Sequence, residues 1–322
     1  MTLAQSFRPL LAALLVCCAV SCTTTQPRKA PSTMATSRPI FQSVDPRAAI
    51  VRIGSWNVRW LGPSAHDRFE SRAPEDLAAY IASAGVSVLA LQEAGQTPGT
   101  NLRNSTLDAA LAALNESSAG QWDYVLFPSQ DKQQAALTGI AWDKSVVRMT
   151  DPPMALPVTL GRDDPADGTL ILACPPHAAK FQPVYGSGEF VVIPIDLADN
   201  TAGSDRVAHR VGEAREIAAA LPAVRNRFSS ADIILLGDFA MPLSTETTGA
   251  LIAECGFRDL NADDIATFAT GKPYARAFVP VNSQHLAGNK SIGIFKYPVL
   301  GPDTFREKLS DSYIITVDFS KN

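Results

Sequence analysis

"ADIILLGDFAMP", residues 231–242, is the stretch on which the reading of this chain turns. Four apolar residues, Ile233 to Leu236, lead to Gly237 and then to Asp238, so a buried strand delivers a carboxylate at its end. Two residues on, where a polar side chain would serve a site, stands Ala240. The strand fits an α/β protein. The alanine asks whether its site still works.

Outward from this strand, other segments alternate strand and helix patterns. Towards the N-terminus, "AIVRIGSWNV" (49–58) is a β-run ending in polar residues, and "APEDLAAYIASAG" (73–85) has Pro and acids in a first helical turn and Gly after the last. "VSVLALQE" (86–93) is a strand ending on Glu93, and "STLDAALAALNE" (105–116) is a helix with Ser105 placed to cap it. Short strands follow in "WDYVLFPS", "LTGIAWD", "VVRMT", "TLILACPP" (169–176), "AAKFQPV" and "EFVVIPIDLAD". A long helix over 204–228 precedes the opening strand; "TETTGALIAECG" (helix), "YARAFVPVN" and "YIITVDF" (strands) come after it. Mixed strands with a few helices predict one α/β domain of two packed mixed β-sheets covered by helices.

The N-terminus reads differently. Residues 1–21 hold one cation, Arg8, an apolar run of about a dozen residues and a small-residue "AVS" before Cys22, the pattern of a secretory signal. "AVSC" resembles a bacterial lipobox, which makes Cys22 a lipidated first residue; the other reading is a plain signal peptide with an incidental cysteine. Residues 22–48, rich in Thr, Ser and Pro, bury too little to order themselves and read as a tether to a domain over 49–322. The expected location is the cell envelope, lipid-anchored, with Thr23 fitting the outer membrane. Cys174 and Cys255, the cysteines left in the domain, either pair or remain buried thiols.

Charge narrows the partners. A formal net charge of −4 supplies no long-range attraction for nucleic acid, and an envelope protein meets little of it. The membrane, through Cys22, is the partner the sequence names; oligomeric state is not legible.

Asn57, Glu93, Asp238 and Asp311 fall at or near strand ends, and carboxylates with one amide make a hard-oxygen set suited to Mg²⁺ or another divalent cation. In order along the chain, "IGSWNVRWLG", "VSVLALQEAG", "TGIAWDKSVV", "ADIILLGDF" and "LSDSYIITVDF" resemble the sequential motifs of the endonuclease/exonuclease/phosphatase (deoxyribonuclease-like) superfamily. That resemblance runs from about Ile50 to Phe319. It implies a four-layer α/β/β/α sandwich and metal-dependent phosphoester hydrolysis. It also implies Asn57 and Glu93 at the metal end, Asp238 positioning the nucleophile, and Asp311 beside a catalytic histidine.

The motifs are degenerate. Ala240 replaces the Asn of "GDFN", Ser312 the His of "SDH", and Asp196 the other His; Ala275 stands at a usual Asp, and Cys174 aligns with a strand-borne Arg. A serine hydroxyl takes up no proton near neutral pH, and losing a general base typically costs about 10²–10⁴ in rate. Asp196 adds negative charge where a phosphate would sit. His66, His177, His209 and His285 miss the motif positions; His209 and His66 are the candidates to swing inward, with a solvated helix as the ordinary place for His209 and for Arg206, Arg210 and Arg215. The reading is therefore a pseudoenzyme acting as a binding or scaffold module. Its alternatives are an active metal-dependent phosphoesterase with a rearranged site and a non-hydrolytic Ca²⁺/Mg²⁺-binding protein.

Overall fold

The computed structural model describes residues 44–62, 72–118, 120–129, 136–158, 172, 174–197, 205–229 and 231–321. The signal segment, Cys22, most of the tether and His66 lie outside the described residues.

In chain order the elements are β1 (Ile50–Leu61), α1 (Pro74–Ala84), β2 (Val88–Gly95), α2 (Ser105–Ser118), β3 (Trp122–Leu126), β4 (Ala136–Asp143), β5 (Val147–Met149), β6 (Met154–Ala155), β7 (His177–Pro183), β8 (Phe190–Asp196), α3 (Asp205–Arg227), β9 (Asp232–Asp238), α4 (Thr247–Glu254), β10 (Phe257–Asp259), β11 (Ala275–Pro280), β12 (Gly293–Phe295), α5 (Pro302–Lys308) and β13 (Ile314–Ser320). One sheet runs β12-β13-β1-β2-β4-β3 and the other β10-β11-β9-β8-β7-β5, with β6 paired to β7. Each sheet is mixed: β1 and β2 are parallel, as are β8 and β9, while their other pairings are antiparallel.

Alternation sorts the side chains into layers. Val51, Ile53, Val88 and Ala90 from the first sheet meet Phe190, Val192, Ile234 and Leu236 from the second in a core between the sheets. The intervening residues Leu89 and Leu91 pack outward with Leu77, Ile81 and Leu111 of α1 and α2 and Phe305 of α5. On the far side Ile193, Ile195, Ile233 and Leu235 pack with Ile217, Leu221 and Val224 of α3 and Ile252 of α4. This is the four-layer α/β/β/α sandwich that the resemblance implied, with the two packed sheets and covering helices read from the pattern of elements.

Both parallel pairs are joined by a crossover helix, as parallel pairing requires. Their carboxyl ends share one end of the sandwich, where Asn57 of β1 hydrogen-bonds Asp238 of β9 and where open α/β sheets bind ligands. Gly237 is obligatory in this arrangement: a Cβ there would lie 1.9 Å from the carbonyl oxygen of Ile195 on β8. Without a side chain, β9 can close on β8 one residue before Asp238.

Some local readings need correction. The cap of α2 is Asn104, not Ser105: its Oδ1 accepts from the Leu107 amide at 2.8 Å. Its Nδ2 also donates to the carbonyls of Leu61 and Gly95, at 2.8 and 2.6 Å, so one buried side chain ties the ends of β1 and β2 to the start of α2. Of the strand expected over 169–176, the described residues 172 and 174–176 are not extended in a sheet. Elements β6, β10, β12 and α5 are too short to carry a periodic signal. Cys174 and Cys255 form no disulfide and are half-buried; their thiols donate to the carbonyls of Ala136 (3.4 Å) and Leu251 (3.5 Å).

Candidate active site

Asn57 ends the regular pairing of β1, in register with Gln92 and just before a bulge. By alternation from Val51 and Ile53 its side chain lies on the inter-sheet side, and so does Asp238, which follows Ile234 and Leu236 on β9. Glu93 is out of phase, because Leu89 and Leu91 face the helices. A bulge between Leu91 and Ala94 and a left-handed φ of 56° at Glu93 re-aim it. The result is one hydrogen-bonded group. Asn57 Nδ2 donates to Glu93 Oε1 at 2.8 Å and to Asp238 Oδ2 at 3.0 Å, and Asn57 Oδ1 accepts from the Arg59 amide at 2.8 Å.

Asp238 is fixed from its other oxygen as well, which accepts from the Ala240 amide at 2.8 Å. The hydrogen bond closes a tight turn in which Ala240 takes φ 49°. Arg59 and Trp60 also have positive φ, at 47° and 55°, and Arg72 Nη1 holds that turn through the carbonyls of Val58 and Arg59. Of the seven non-glycine residues with positive φ among the described residues, four thus gather at this end. Strain of this kind collects at functional sites.

Asp196, Ala275 and Ser312, three of the positions at which the sequence departs from the quoted motifs, lie around the same group. Asp196 pairs in parallel register with Asp238, so two carboxylates are neighbours on one face. Ala275 sits opposite Asp238 on the antiparallel strand β11. Ser312 is 1% exposed, and its Oγ donates to the Tyr313 carbonyl at 3.4 Å. Its own carbonyl accepts from Trp56 Nε1 at 3.1 Å, and its amide donates to Ser310 Oγ, which in turn donates to the Asn57 carbonyl at 2.7 Å. Asp311 faces a cation instead of an imidazole: Arg59 Nε lies 3.7 Å from its Oδ2, both side chains being partly exposed. Arg59 and Ser310 were missed by the sequence reading. Both lie inside quoted motifs, but nothing local announces a partner from the opposite end of the chain.

Among the described residues, the histidines do not supply a base here. His209 is buried, a correction to its expected solvated place, and its Nε2 lies 3.6 Å from Glu213 Oε1. It continues the α3 stripe of Ile217 and Leu221, which faces the second sheet from the side away from Asp238. Arg210 is likewise 0% exposed and paired with Glu246, the residue before α4, at 3.1 Å; Arg215 is exposed as expected, and the Arg206 side chain lies outside the described residues. His177 stacks on Phe127 and donates from Nδ1 to the Pro175 carbonyl at 2.9 Å, and burial lowers its pKa. His285 stacks on Phe319, with Nδ1 2.8 Å from the Ser320 carbonyl oxygen.

A divalent cation fits these residues poorly as they stand. An ion shared by Glu93 and Asp238 needs oxygen donors around it. Asn57 instead fills the space between the two carboxylates with its N–H groups, and its oxygen serves the Arg59 amide. Among the described residues there is no group of three or more His, Cys, Asp or Glu side chains placed to hold a metal.

No family model and no curated protein matches this chain. Solved structures do. An endonuclease/exonuclease/phosphatase from Bacteroides vulgatus is similar with TM-score 0.57 and 16% identity, over 85% of this chain and 99% of that one. The catalytic domain of human Nocturnin follows the chain with TM-score 0.55 and 14% identity, over 88% and 97%. A mannosyl-6-phosphatase from Bacteroides thetaiotaomicron does so with TM-score 0.53 and 17% identity, over 83% and 98%. At these identities the likeness establishes a shared fold.

Proposed function

We propose that this chain, built on the endonuclease/exonuclease/phosphatase fold, is an envelope-anchored, phosphoesterase-like protein that has lost hydrolysis and uses the fold as a binding module. The observation that carries this reading is Ser312. A water-activating base must be exposed to substrate and able to take a proton, and Ser312 is buried with its hydroxyl committed to a backbone carbonyl. Asp311 beside Arg59 supports the same reading, since a guanidinium stays protonated and cannot pass a proton on. Asp196 next to Asp238 opposes an anionic substrate. Anchoring rests on the sequence of residues 1–22 and the lipobox at Cys22.

A second reading, an active divalent-metal-dependent phosphoesterase with a rearranged site, draws on the retention of Asn57, Glu93 and Asp238 as one group on strained backbone. One assay separates the two. Hydrolysis of plasmid DNA and of a chromogenic phosphodiester and phosphomonoester is measured with Mg²⁺, Mn²⁺ and Ca²⁺, for the protein and for Asp238→Ala. Equal background rates support the binding module. Metal-dependent turnover abolished by Asp238→Ala overturns it.

A further inference from the structure

At the end of the sandwich opposite Asn57, the chain enters the described domain through a surface of exposed apolar residues. Ile50, the first residue of β1, is 45% exposed, and Val184 and Tyr185, in the turn after β7, are 40% and 45% exposed. Backbone contacts make these one surface. Ile50 pairs with Ser320, and the Lys321 amide donates to the Ala49 carbonyl at 2.9 Å. The Ser187 amide donates to the Lys321 carbonyl at 3.1 Å, which brings the Tyr185 turn beside β1. Lys321 Nζ donates to the Pro46 carbonyl at 2.8 Å, and the Arg47 guanidinium lies 5.3 Å from the centre of the Tyr185 ring.

We propose that this face, with Tyr185, Val184 and Ile50 as its contacts and Arg47 at its rim, rests on the phospholipid surface to which the chain is tethered. The proposal rests on lipid attachment at Cys22. Twenty-one residues lie between Cys22 and Val44, where the described chain begins. Even fully extended, a chain of that length reaches at most about 75 Å. Attachment at Cys22 would limit how far the domain can leave the bilayer, so a patch too weak to bind membranes unaided would meet lipid at raised effective concentration. Tyr with a neighbouring Arg suits the interfacial zone, where an apolar ring and a polar tip are both accommodated. Because β1 runs from Ile50 here to Asn57 at the other end, roughly 23 Å at the rise of a strand, docking turns the candidate site away from the lipid.

The test uses the full-length chain, processed in bacteria and reconstituted into vesicles of phosphatidylethanolamine and brominated phosphatidylglycerol. Tyr185→Trp should lose at least twofold more fluorescence to the bromine atoms than the parent. Leu243→Trp, beyond the opposite end, should match the parent. With Val184→Ser and Tyr185→Ser together, the protein should still float with the vesicles, while trypsin should cut at Arg47 several-fold faster. Vesicle-bound Tyr185→Trp protein quenched no more than the parent overturns the docking alone. A chain that does not float, with no lipid on its N-terminus by mass, overturns the anchoring and the docking with it.

Discussion

Asn57 offers its carboxamide nitrogen to Asp238, at 3.0 Å, and to Glu93, at 2.8 Å, so a neutral amide stands between two acids. The orientation is dictated chemically. Turning the amide over would set its oxygen against both carboxylates and its N–H groups against the Arg59 amide.

Replacing that donor with a third acid, Asn57→Asp, should cost about 2–4 kcal/mol at neutral pH in the presence of a chelator. Part of the loss should return on adding millimolar Mg²⁺ or Ca²⁺, because three carboxylates would then have an ion to hold. Urea denaturation measures both. An Asn57→Asp protein as stable as the parent in chelator would show that the amide does not hold the group together.

Placing at Ser312 the histidine that the resemblance calls for should fail on its own. Ser312→His forces an imidazole into a fully buried position and should destabilise the fold by about 1–3 kcal/mol, with phosphodiester hydrolysis staying at background. Metal-dependent turnover by this single variant would mean that the pocket opens far enough to admit a base.

Ala240 carries a left-handed φ of 49° that glycine adopts without strain and a β-branched residue resists. Ala240→Gly should stay within about 1 kcal/mol of the parent, since relief of strain offsets greater chain entropy and a lost methyl contact. Ala240→Val should lose about 2–4 kcal/mol. Thermal unfolding of the pair settles the order, and a valine variant as stable as the glycine one would contradict the assigned turn.

Asn104 should be among the costly polar residues to remove. Asn104→Ala leaves the carbonyls of Leu61 and Gly95 and the Leu107 amide without their donor or acceptor, all at buried or part-buried positions. A loss of about 2–4 kcal/mol is expected, with the slope against denaturant unchanged. Ser105→Ala should cost well under 1 kcal/mol, as befits a residue that is not the cap.

His177 gives a pH signature. Burial lowers its pKa in the folded protein, so the unfolded chain binds the proton more readily. Its contribution is complete above the ordinary histidine value of about 6.5 and is lost as pH falls below it, by at most about 1.4 kcal/mol per pH unit. In His177→Gln that fraction of the acid-side slope should vanish, whatever the variant's absolute stability. Denaturant titrations on either side of the histidine range read the slope directly.

Much of the fold was legible because its strands are apolar runs with clear punctuation. Pro74 at the start of α1 and Gly85 in a left-handed conformation after its end made that helix readable from residues alone. Elements β10 and β12, three residues each, had no such signal, and they exist because neighbouring strands offer them partners. His209 and Arg210 misled for a related reason. Polar residues on a helix are expected outside, but here Glu213 and Glu246 meet them in the interior, and a partner from another turn or helix is invisible in a local pattern.

What the sequence determined by itself was the kind of residue at each strand end: a carboxylate at Asp238, an amide at Asn57, and an alanine and a serine where the resemblance calls for groups that do chemistry. The order of strand and helix patterns also pointed to two packed sheets covered by helices, because each element must bury its apolar side against another. Only the tertiary structure decided how those ends meet. A bulge and a left-handed residue turn Glu93 across its strand, Gly237 lets β9 close on β8, and the segment after α5 buries Ser312 against Trp56. Each of these depends on contacts between residues far apart in the chain. Local propensity carries no record of such contacts, because they form only when burial of the shared core brings the strand ends together.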